Sequence, residues 1–220
     1  KKTMFTPIRE KLNTLIPDTK EIDAYNHFSN IVERMITNGD AAHRSIPGYD
    51  KCKPEIETYK VFDEITIPVH GYADFKGEKT DNFKGMIIED KCKFPRRGRV
   101  KKDGTRSWST TKLPETIEPY HLMQVDFYHY ATELPIYICY INEEGYRVFS
   151  AENCELLTPK SIESRKKDFI QRCKVRQNLM KISNDAYVLK DYIQPDFDNY
   201  FWRNDLDPTY LDNAKKFWSS

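Results

Sequence analysis

Residues 67–97 read IPVHGYADFKG, then EKTDNFKG, then MIIEDKCKFPRR, and this stretch decides the fold. Two apolar runs carrying Val and Ile, parted by a polar turn that contains Gly, predict a pair of strands. Asp74 closes the first run and Glu89 stands near the end of the second. Glu89 and Lys91 are two apart, so on a strand both side chains leave from one face. A hairpin that sets Asp74 opposite them gathers two carboxylates and one ammonium. As a surface hairpin, that group makes ordinary ion pairs. Around a divalent cation, the acids are hard oxygen ligands of the kind Mg or Mn takes. Lys91 then holds or deprotonates a water, or stabilises charge on a phosphate.

Working outward, HLMQVDFYHYATEL (121–134) reads as a helix and IYICYI (136–141) as a strand. Gln124 and Tyr128 are four apart and share a helix face. Asp74, then Glu89-Asp90-Lys91 after an apolar run, then Gln124-x-x-x-Tyr128 resembles the PD-(D/E)XK nuclease superfamily. It is most similar to the RecB-like and lambda-exonuclease-like branches, of the phage exonuclease or mitochondrial genome maintenance exonuclease type. The resemblance covers roughly residues 55–150.

The resemblance implies an α/β fold: a central mixed β-sheet flanked by helices, with a restriction-endonuclease-like core. It implies that Asp74, Glu89 and the backbone carbonyl of Asp90 ligate one or two Mg or Mn ions. Lys91 would orient and activate the attacking water, Gln124 would position the site, and Tyr128 would contact phosphate or base. Family members commonly add an acid upstream; Glu55 and Glu57 both flank Ile56, and Glu57 is the choice made here. They also place a His on an early helix, which points to His27, with His43 competing. The implied activity is exonucleolytic hydrolysis of DNA, on single strands or duplex ends. The alternatives are an endonuclease or junction-cleaving enzyme, and a nucleic-acid-binding protein with an inactive nuclease core. Some relatives carry an iron–sulfur cluster on clustered cysteines. Here Cys52, Cys92, Cys139, Cys154 and Cys173 are scattered, so no such cluster is expected.

The charge pattern supplies a substrate-binding reading. The 220 residues carry a formal charge of only +1, yet nine basic residues between Lys91 and Lys112 face one acid, Asp103. A basic patch on a neutral chain suits a polyanion, whereas each patch alone also fits a solvated loop. This stretch reads as a flap over a nucleic-acid strand. Lys93, Arg96, Arg97, Arg99, Lys101 and Lys102 would meet phosphates, and Trp108, with Phe94, would offer a ring to unpaired bases.

The rest is scaffold. Apolar spacing predicts a helix from about Lys20 to Thr37, ended by Asn38-Gly39. A strand over residues 55–75 is bent or split near Asp63-Glu64. A hairpin turns at residues 142–145, a basic helix spans 158–182, and the aromatic tail is acidic. With 39% apolar and 31% charged residues, the composition is that of a polar globular protein. A single domain is expected: a helical part (about 1–53), a core (about 54–150), and a C-terminal helix and tail (about 151–220). No apolar run nears the ~18 residues of a membrane span, and the expected setting is cytoplasm or an organellar matrix.

Overall fold

The computed structural model describes residues 22–100, 102, 106–193, 195–197 and 208–219. The chain divides into two compact units. One takes the described residues up to Phe62 together with Pro68–Phe169; the other takes Asp63–Ile67 and the described residues from Ile170 onward.

The first unit is α/β, with helices flanking a five-stranded mixed sheet of strand order β1-β2-β3-β6-β7. Its elements are α1 (Ile22–Arg44), β1 (Lys53–Lys60), β2 (Val69–Gly77) and β3 (Met86–Cys92). These are followed by β4 (Arg96–Val100), β5 (Arg106–Ser109), α2 (Pro119–Thr132), β6 (Ile136–Ile141), β7 (Tyr146–Phe149) and the start of α3 (Pro159–Ile182). The extended run expected over 55–75 is two strands, β1 and β2, paired antiparallel. The helix expected to stop at Asn38-Gly39 continues to Arg44, because Ala42 and His43 beyond the glycine are buried. Burial outweighs the roughly 1 kcal/mol that a mid-helix Gly costs.

β3 occupies the middle of the sheet, and Met86, Ile87, Ile88 and Glu89 are all buried. A continuous apolar run is what a strand covered on both faces requires. On one face Ile88, Phe75, Cys139 and Ile141 pack with Ile31, Met35 and Ala42 of α1. On the other lies α2. Gly71 admits its approach: a Cβ there would sit 3.2 Å from the Phe127 and Tyr128 rings. Pro119 opens α2 at its first turn, where no intrahelical N–H is needed, and Glu133 closes it in the left-handed region at φ 58°. Arg165 clamps α2 to α3 with a two-pronged bond to buried Asp126, at 2.7 and 2.6 Å. β3 and β6 run parallel, so the chain crosses over between them through the β4–β5 hairpin and α2. The basic stretch read as an irregular flap thus has ladder structure of its own: β4 and β5 form a separate two-stranded sheet.

In the second unit, the buried Gln177 carboxamide oxygen accepts from the Thr66 N–H (2.6 Å) and hydroxyl (3.0 Å). The unit also includes short α4 (Ala186–Leu189) and α5 (Pro208–Ser219). Among the described residues, no helix is long and apolar enough to cross a membrane.

Candidate active site

The site forms where two strands part. The β2–β3 ladder pairs Gly77 with Met86, Lys76 with Ile87 and Phe75 with Ile88, and then stops. The next residues outward are Asp74 and Glu89. With no partner strand to take it, the Asp90 N–H donates to Asp74 Oδ2 at 2.7 Å. Alternation along β3 sends Glu89 and Lys91 to the α2 face and Asp90 to the α1 face.

On the α2 face the polar atoms interlock. Lys91 Nζ donates to Glu89 Oε1 (2.6 Å) and to Gln124 Oε1 (2.8 Å). The Gln124 carboxamide in turn donates to the same Glu89 oxygen (2.6 Å) and to the Tyr128 hydroxyl (3.0 Å). Tyr128 passes its own proton to the Tyr72 carbonyl. Glu89 Oε1 therefore takes two donors, while buried Glu89 Oε2 has no hydrogen-bond partner among the described residues. Leaving a buried carboxylate oxygen unpaired is costly.

The electrostatics follow. Burial is the largest influence on Glu89, and the Asp74 charge adds to it; together they raise its pKa. Burial likewise raises Asp74, with Asp90 and Glu55 adding to the rise. Buried Glu89 and half-buried Asp74 both resist ionising, a cost that a cation between them would offset. The donor set and the unpaired oxygen fit a hard divalent ion. Asp74, Glu89 and the main chain at Asp90 are the groups able to hold it.

Not every sequence candidate joins this cluster. Glu57 pairs with His70 at 2.7 Å on the exposed side of β1 and β2. The β1 acid that bears on the site is Glu55. It falls in the one gap of the β1–β2 register, between the Pro54–Phe75 and Ile56–Ala73 pairs, opposite Asp74. Its φ is 52°, a left-handed conformation that strains a residue with a side chain and that collects at functional sites. Tyr128, whose pKa burial and then Glu89 push up to about 12, also feels the Glu55 charge. Nothing in the composition or spacing separated Glu55 from Glu57; the gap in the pairing opposite Asp74 did.

His27 lies on α1, with its side chain outside the described residues. Its competitor His43 is on the α1 face of β3: its Nε2 sits 3.0 and 2.9 Å from the two oxygens of Asp90. Cys139 completes a buried group whose ligand-type atoms lie within 4.8 Å of one another, a set able to hold a metal ion. His43 and Asp90 already satisfy each other, whereas Glu89 is left with an unpaired oxygen.

The basic stretch divides too. Lys93 is half-buried and bonds to Glu118 and to the Tyr120 hydroxyl, at the N-terminus of α2. Arg96, Lys102 and Phe94 are exposed and Trp108 is half-buried. Arg97 and Arg99 are placed by backbone on β4, and Lys101 lies outside the described residues. A residue not singled out from sequence, His121, stands one turn before Gln124 and bonds to the Tyr140 hydroxyl at 2.7 Å.

No family model matches the chain, and no curated protein matches it. Among solved structures, one described as the crystal structure of SSO0001 is 16% identical over 88% of this chain and 97% of that one, with a TM-score of 0.34. A likeness that slight carries no argument, so function rests on the geometry of Asp74, Glu89, Lys91 and Gln124.

Proposed function

We propose that this protein is a metal-dependent deoxyribonuclease with a PD-(D/E)XK-type core, acting as an exonuclease at DNA ends. The observation that carries the reading is buried Glu89 Oε2, left without a partner beside the Asp74 carboxylate. An acid pair of this kind is unfavourable alone and favourable around Mg or Mn. Asp74, Glu89 and the Asp90 carbonyl would hold one or two such ions. When bound, the ion would supply charge neutralisation at the phosphate and a more acidic water.

The chain's own residues do the positioning. Gln124 bridges Glu89 and Tyr128 through its amide protons and takes Lys91 on its oxygen, so it fixes the carboxylate and the ammonium together. Lys91 is thereby held at the acid pair, where it can hold the attacking water and stabilise negative charge on the phosphate. Arg96 and Lys102, exposed at the β4–β5 hairpin, would supply the sequence-independent phosphate attraction that nucleic-acid binding requires.

The test is incubation of labelled linear and circular DNA, single- and double-stranded, with Mg or Mn and then with EDTA. Metal-dependent release of nucleotides from linear DNA only is the expected result. Cutting of circles or junctions would replace exonuclease with endonuclease. Binding without any cutting would mark an inactive core, and neither binding nor cutting would end the nuclease reading.

A further inference from the structure

The two faces of β3 offer a cation different donors. On the α2 face they are carboxylate oxygens, whereas on the α1 face they include nitrogen and sulfur. Parallel pairing sets Asp90 directly beside Cys139, so the two side chains leave the sheet on the same side. His43 reaches them from the last turn of α1, the part of the helix that runs on past Asn38-Gly39. Its Nε2 lies 3.0 and 2.9 Å from the two Asp90 oxygens. Three segments far apart in the chain thus bring one ligand-type side chain each to a single point.

The donor atoms of His43, Asp90 and Cys139 all lie within 4.8 Å of one another. Bonds from zinc to imidazole and thiolate are about 2.0–2.3 Å long, so small side-chain movements bring all three onto one ion. The second Asp90 oxygen, equally close to Nε2, makes a fourth donor atom available. The group is closed to solvent: the His43 and Asp90 side chains are 1% and 4% exposed, and Cys139 is fully buried. Closed sites with nitrogen and sulfur ligands are the structural kind. Tyr49 stacks on the imidazole and Phe75 meets it edge-on, both with ring centroids 4.8 Å away, which fixes its direction.

Charge and softness choose the ion. One carboxylate and one thiolate balance a divalent cation, so the buried group is neutral once the Cys139 thiol has released its proton to solvent. Thiolate and imidazole suit zinc and its neighbours, and are poor ligands for Mg.

We propose that His43, Asp90 and Cys139 form a structural site for a divalent ion of the zinc class, which ties α1 to β3 and β6. The site does not rest on the nuclease reading. Its ligand is the Asp90 side chain, whereas the nuclease reading uses the main chain at that residue.

The experiment uses the full chain produced in medium supplemented with Zn or with Co, so that the ion enters as the chain folds. The parent should carry about one more Zn per chain than Cys139→Ala, by elemental analysis. Any ion held by oxygen ligands on the opposite face cancels in that difference. The cobalt form should show a sulfur-to-cobalt charge-transfer band that Cys139→Ala loses. Cys139→Ala keeps the His43–Asp90 bond and removes only a thiol. Should it fail to fold, single alanine variants of Cys52, Cys92, Cys154 and Cys173 decide. A band kept in all four leaves Cys139 as its source, and loss in any one overturns the proposal. A chelator added to the zinc form should lower the urea midpoint more in the parent than in Cys139→Ala. Equal shifts, or a parent with neither the extra Zn nor the band, would overturn the site and leave His43–Asp90 as a buried pair without a metal role.

Discussion

Glu89 and Asp90 are consecutive acids on one strand, and both are buried or nearly so, yet the two faces of β3 treat them differently. On the α1 face, both Asp90 oxygens meet His43 Nε2. Phe75 and Tyr49 pack their rings on that imidazole. On the α2 face, Glu89 has two donors on one oxygen, none on the other, and a second carboxylate nearby. The Asp90 face spends its acid on holding the sheet to α1. The Glu89 face leaves a buried carboxylate oxygen unpaired beside a second acid, a cost that nothing among the described residues offsets. A strand thus separates structural from chemical work by alternation alone.

The sharpest break of this contrast is chemical. Lys91→Ala or Glu89→Gln should lower metal-dependent DNA degradation about a hundred- to a thousandfold, the scale for removing a group that stabilises transition-state charge, measured by single-turnover cleavage. Degradation that survives in Lys91→Ala refutes the role given to Lys91.

Next comes stability on the opposite face. His43→Ala should cost about 3 kcal/mol in urea unfolding, because it leaves a buried carboxylate unpaired. A loss below about 1 kcal/mol would show that Asp90 does not depend on His43.

The acid pair makes a smaller prediction of opposite sign. Both Asp74 and Glu89 have raised pKa values, so the folded state binds protons that the unfolded chain has released above its ordinary carboxylate pKa of about 4. Metal-free protein should therefore lose stability as pH rises from about 5 to about 8. Glu89→Gln should flatten that slope and stabilise the metal-free protein at pH 8 by roughly 1–2 kcal/mol, read as a higher Tm. Mg should stabilise the parent but not the variant. A metal-free parent that gains stability toward pH 8 would contradict the unbalanced pair.

Smaller still, Tyr128→Phe removes the hydroxyl that joins Gln124 to the Tyr72 carbonyl. It should cost about 1 kcal/mol of stability. Glu57→Gln, on an exposed pair with His70, should change stability by less than about 0.5 kcal/mol and leave DNA cleavage unaltered. A large loss of cleavage in Glu57→Gln would reverse the assignment of the β1 acid to Glu55.

Much of this was legible in the chain. Period-two spacing put Glu89 and Lys91 on one face, and four-residue spacing put Gln124 and Tyr128 on another. Both geometries are local, so a one-dimensional pattern suffices to read them. The apolar run MII marked the central strand for the same reason. Tertiary structure decided what depends on partners far along the chain. The β1–β2 ladder, which skips the Glu55–Asp74 pair at a left-handed Glu55, chose between two acids that the sequence treats alike. Sheet order turned His43 toward Asp90, away from Glu89. The parallel pairing of β3 with β6 set Tyr140 beside Lys91 and so gave His121 its neighbour. Alternation and helical pitch are properties of a segment, whereas register, crossover and the partner of a buried charge are set only when separate segments pack.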